Sequence, residues 1–132
     1  MTYLLDTCSL SDYIKGDLNT MGRLKQENPY NIFVSSMTRF EIEYGLKLKP
    51  SLSQIITPQL EVIYQKIKTI DFSIAEANIA AKVRSELKQA GSPIGYYDLL
   101  IAATALANNL IVVTSNLKEF SKIEDLSVEN WR

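Results

Sequence analysis

Short apolar runs that end on polar residues, with helix-forming sequence between them, constrain this chain more than any other feature. Tyr3-Leu4-Leu5 ends at Asp6, Ile32-Phe33-Val34 at Ser35-Ser36, and Ile111-Val112-Val113 at Thr114. Runs this short and this uniformly apolar read as strands covered on both faces. Parallel strands need long crossovers, and helical segments between strands supply them. The expected fold class is therefore α/β, a three-layer α/β/α arrangement around a short, mostly parallel central sheet. A length of 132 residues suits a single domain spanning 1–132.

The intervening segments carry helix signals. Ser9 to Lys15 reads as a short helix closed by Gly16, and Leu18, Met21 and Leu24 are spaced for a second. A helix follows Ser35-Ser36 to about Leu48, with Thr38-x-x-Glu41 matching a capping box and Pro50 closing the segment. Thr57-Pro58 reads as an N-cap with proline at the first helical position, opening a helix to about Ile67. Thr69 to Phe72 reads as a strand. Ser73-x-x-Glu76 opens a helix that runs to Ala90, with Gly91 as its cap residue. Leu99 to Leu106, rich in alanine, reads as a buried helix. Leu117 to Phe120 makes one turn, and Leu126 to Trp131 reads as a final edge strand.

Composition narrows the chemistry. The chain has no histidine and a single cysteine, Cys8. Imidazole bases, His ligands, thiolate zinc sites and internal disulfides are thereby excluded. Cys8 is expected to be a small buried hydrophobe, and a reducing cytoplasm is the expected location. No secretory signal or membrane span is read in the sequence, so no membrane partner is expected. A net charge of −1 argues weakly against a nucleic-acid partner, although a local basic face escapes this measure. Hydrolytic chemistry here has to run on carboxylates, hydroxyls, Lys, Arg or Tyr, and the 15 acidic residues favour a metal site.

In parallel sheets ligands collect at the carboxyl ends of the strands. Asp6 follows the first strand, Glu41 lies early in the helix after the second, and Asn116 lies just beyond Thr114. Asp98 joins them if the alanine-rich helix begins at the same rim. Carboxylate pairs about 5 Å apart, at an effective dielectric near 20, cost roughly 3 kcal/mol each. A hard divalent cation such as Mg²⁺ or Mn²⁺ relieves that repulsion and can activate a water against a phosphodiester. Each residue alone also has a plainer reading. Asp6 and Asp98 are suited to helix starts, Glu41 to the capping box, and Asn116 to a turn.

Four stretches in order share one further property. Tyr3 to Thr7, Ser36 to Gly45, Ile94 to Ala103 and Val113 to Phe120, with Val128-Glu129-Asn130-Trp131 as the tail, together resemble the PIN-domain family. Within it they resemble the VapC-type toxins of prokaryotic toxin–antitoxin pairs. The resemblance implies a metal-dependent endoribonuclease with Asp6, Glu41 and Asp98 as metal ligands and Asn116 at the catalytic centre. It further implies an RNA substrate, a homodimer and a VapB-like antitoxin that covers the site. Thr7, Arg39 and Thr114 are expected to contact substrate or antitoxin. Cys8, Ser115 and Asn116 depart from residues common among relatives, and the neutral Asn116 favours one tightly held ion. Two other hydrolytic or phosphoryl-transfer readings fit less well. A phospho-accepting receiver domain wants adjacent acids after the first strand, where Thr7-Cys8 stand. A haloacid-type phosphatase wants a second Asp at the position of Cys8. A binding module with purely structural acids is the remaining alternative.

Overall fold

A computed structural model describes residues 1–132. Five strands, β1 (Tyr3–Leu5), β2 (Ile32–Ser35), β3 (Lys68–Ile70), β4 (Ile111–Val113) and β5 (Val128–Glu129), form one sheet in the order β3-β2-β1-β4-β5. All the pairings are parallel: Tyr3 aligns with Ile32 on one side and Ile111 on the other. The sheet is thus wholly parallel, and its central strand is the first one in the sequence.

Side-chain alternation on β1 builds the layers. Leu4 points into a core with Val83, Leu87, Leu99, Ile101, Val112 and Phe120, contributed largely by α5 (Ile74–Gln89) and α6 (Tyr96–Ala107). Tyr3 and Leu5 point the other way. They join Leu10 of α1 (Thr7–Lys15), Leu46 of α3 (Ser36–Lys47), Leu60 and Ile63 of α4 (Pro50–Lys66), and Trp131. Ala102, Ala103 and Ala105 are fully buried, so α6 packs closely, as its small side chains permit. The remaining helices are α2 (Leu18–Gln26), the one-turn α7 (Leu117–Phe120) and a single 3₁₀ turn at Pro29–Asn31.

Several local expectations are corrected. Pro50 opens α4 instead of closing a segment, sitting where a missing N–H costs nothing. Thr57-Pro58 is not a helix start, because Pro58 lies inside α4. Burial of Leu60 and Ile63 against β1 and β2 keeps the helix continuous through it. The cap of α3 is Ser35, whose hydroxyl accepts from the Thr38 N–H at 3.1 Å, which leaves Glu41 free of capping. The capping box at Ser73 and Glu76 is present. Two helices start earlier than expected, at Thr7 and at Tyr96. The last strand shrinks to Val128–Glu129, and Trp131 instead packs edge-on against Tyr3 at 5.1 Å. Cys8 is exposed, because it lies on the outer side of the first turn of α1.

Candidate active site

Asp6 leaves the end of β1 and caps α1. Its Oδ1 accepts from the Ser9 N–H at 2.8 Å, and its own N–H donates to the Val113 carbonyl at 3.0 Å. The Ser9 hydroxyl donates to the same carbonyl at 2.8 Å, tying α1 to β4. Asp6 is 2% exposed, and burial pushes its pKa up against the pull of hydrogen bonds from Thr114 and Ser9. A carboxylate held this rigidly and this dry is poised for a positive partner.

Glu41 reaches the same rim from the second turn of α3. The Thr7 hydroxyl donates to Glu41 Oε1 at 2.6 Å and lies 3.3 Å from the Thr38 hydroxyl. Thr7 therefore binds a catalytic candidate to the helix that Asp6 caps. Asp98 occupies the first turn of α6. Desolvation, then the charges of Asp6, Glu41 and Glu119, push its pKa up to about 6. The Asn116 amide donates to Asp98 Oδ2 at 3.5 Å. The exposed Cys8 thiol lies in the same field, pushed up by burial and by Asp6, Asp98, Asp12 and Glu41.

The four expected residues are thus brought to one rim: Asp6, Glu41, Asp98 and Asn116. Thr114, expected to contact substrate or antitoxin, is fully buried. Its hydroxyl accepts from the Asn116 N–H at 2.8 Å, so it positions that loop. Arg39 faces another way. Its guanidinium lies 4.0 Å from the Tyr64 ring centroid and donates to the Thr69 hydroxyl at 3.0 Å. Two further acids act on the site. Glu119 adds charge at Asp98 while pairing with Lys122 at 3.1 Å. Asp12 adds charge at Asp6 and holds Arg132 through two bonds of 2.8 and 3.2 Å. The turn after Asn116 was the signal for Glu119. Nothing local in the sequence linked Asp12 to residue 132.

No three Asp, Glu or Cys side chains converge closely enough to grip one ion together. The acids form an open set of oxygen donors, with the Asp6 carboxyl buried and the Asp98 pKa pushed up to about 6. That donor set fits a hard divalent cation that keeps part of its water shell.

Fold and site together define an α/β domain whose acids gather at the carboxyl edge of a parallel sheet. The family model of the PIN domain matches residues 3–126, and the chain belongs to the PIN domain family. Its relatives there include VapC ribonucleases. Ribonuclease VapC2 of Rickettsia felis is 35% identical over 135 residues, covering 99% of this chain and 98% of its own. The tRNA(fMet)-specific endonuclease VapC of Salmonella typhimurium is 29% identical over 133 residues, with the same coverage. Among solved structures, the R. felis VapBC2 complex bound to a promoter DNA fragment contains a similar chain. It superposes with a TM-score of 0.91 at 34% identity over 100% of both chains.

Proposed function

We propose that this protein is a metal-dependent endoribonuclease, the toxin of a VapBC-type toxin–antitoxin pair. One observation carries the reading. Acids from three separate elements gather at one rim, and desolvation there, with the charges of Asp6 and Glu41, pushes Asp98 up to about 6. Relatives with full-length coverage are named as ribonucleases, one of them acting on tRNA(fMet).

Asp6, Asp98 and Glu41 would hold the ion, partly through waters that it keeps, and Mg²⁺ or Mn²⁺ is the expected identity given an all-oxygen donor set. Such an ion, when bound, acidifies a water and offsets the charge that builds on the phosphoryl oxygens. The protein's part is positioning. Ser9 fixes Asp6, Thr7 fixes Glu41, and Asn116 orients Asp98. With no histidine in the chain, protons leave through these carboxylates and solvent.

The antitoxin reading rests on a groove of about 350 Å³ that starts at Thr7 and Glu41. It runs outward between α1, α3 and α4 over Ile14, Leu46, Leu52 and Leu60, with Lys15 and Lys49 on its walls. An apolar segment carrying acidic residues, supplied by a VapB-like partner, suits this lining and would cover the carboxylates.

The test pairs two readouts. Metal-stripped protein is titrated with Mg²⁺ or Mn²⁺ while melting temperature and RNA cleavage are followed, beside Asp98→Asn. Both should rise together in the parent and neither in the variant. Parent protein that ignores the metal and leaves RNA intact would overturn the reading.

A further inference from the structure

We propose that Phe40, Tyr44 and Tyr97 form a stacking platform for an unpaired nucleobase of the RNA strand, beside the scissile phosphate. The inference rests on the ribonuclease reading above and adds the feature that seats the substrate.

Phe40 and Tyr44 are neighbours on one face of α3, spaced i and i+4. Their ring centroids are 6.5 Å apart and the planes nearly parallel, at 19°. Tyr97, from the first turn of α6, sets its centroid 5.5 Å from Phe40 at 57°. The three rings make a row across the seam between the two helices. They remain 47%, 59% and 47% exposed, so the row is open to solvent along its length. Its location is specific. Phe40 directly precedes Glu41, and Tyr97 directly precedes Asp98. The row therefore flanks the cleft on the two elements that deliver those carboxylates.

Charge supports a nucleic-acid strand here. At Tyr96, the residue before Tyr97, the Arg84 guanidinium lies 4.8 Å from the ring centroid and donates to the hydroxyl at 3.1 Å. This cation sits against the same first turn of α6 that carries Tyr97 and adds positive charge there, in a chain of net charge −1.

Area separates a base from a protein partner. Three half-exposed aromatic side chains offer roughly 300 Å² between them. A stable protein interface needs about 800 Å² per partner, whereas a nucleobase needs only one or two ring faces.

The experiment uses a single-stranded RNA that the protein cuts, and a series of the same RNA with one base removed at each position. With parent protein, base loss at one nucleotide near the cut should raise KM between about fivefold and about 150-fold. Tyr97→Leu should raise KM on intact RNA by a similar factor with a smaller change in kcat, and Tyr97→Phe should restore the parent value. Base loss at the seated nucleotide should cost Tyr97→Leu little more. Parent KM that is indifferent to base loss at every position would overturn the platform, whatever the variants do. So would additive effects of base loss and Tyr97→Leu. A native mass that falls by half in Phe40→Ala would reassign the row to a contact between two copies. Parent protein that cuts no RNA at all would remove the ribonuclease reading itself, and the platform with it.

Discussion

At Asp98 the carboxyl group gives up solvent to enter the cleft and meets the charges of Asp6 and Glu41, and its pKa settles at about 6. The folded value lies above the unfolded 3.8, so the folded state binds the extra proton. Metal-free protein therefore loses stability as pH rises from about 4 to about 6, and the loss persists at neutrality. Asp98→Asn should abolish cleavage yet raise the melting temperature in EDTA at pH 7.5 by roughly 3–5 °C. The gain should vanish at pH 4, as calorimetry at the two pH values would reveal. Thr114→Val leaves the half-buried Asn116 N–H without its acceptor and should cost about 1 kcal/mol in urea unfolding. The acids were legible because each stands at a strand or helix terminus, where polar residues already invite explanation. The Thr7–Glu41 bond was not, since its partners lie 34 positions apart and neither residue signals the other. Cys8 is exposed where a buried hydrophobe is expected, for a related reason. Its burial depends on which side of α1 faces the sheet, and a first turn carries too few residues to display a period.

Among the elements, α4 and α5 teach opposite lessons about punctuation. At α5 the local code holds. Ser73 donates its N–H to Glu76 at 2.9 Å, and Asn108 donates to the other oxygen at 3.1 Å. These bonds, Ser73 foremost, hold the Glu76 carboxyl below its usual range. Their contribution is present above the unfolded value of 4.5 and fades as pH falls below it. Glu76→Ala should cost about 1–2 kcal/mol at pH 7, with a smaller penalty at pH 4, measured by denaturant midpoint. At α4 the local code is overridden. Pro58 removes one backbone donor from the helix interior, yet Leu60 and Ile63 are anchored in the core and carry the helix through. Pro58→Ala restores the N–H and should stabilise by about 1 kcal/mol or more, read as a raised melting temperature. Capping residues act within three positions and are visible in sequence. The depth at which a helix is buried is set by the rest of the molecule.

On the scale of the whole molecule, β1 belongs to both cores, through Leu4 on one face and Tyr3 and Leu5 on the other. The two halves should therefore melt as one unit. Leu4→Ala should destabilise by about 2–5 kcal/mol. Although Trp131 packs in the opposite core, its fluorescence should shift with the far-ultraviolet signal in a single transition. The layered α/β class was legible from the alternation of runs. The strand order was not, because no local pattern says that the first strand takes the centre. That placement has a consequence in time. Asp6 is made 92 residues before Asp98, and β4, the partner of β1, comes later still. At translation speeds of roughly 5–20 residues per second, the interval is about 5–20 s. A ribosome carrying an unfinished chain carries no assembled cleft. The carboxylates can meet only when synthesis is nearly done, so a chain cut short before Asp98 lacks the cleft.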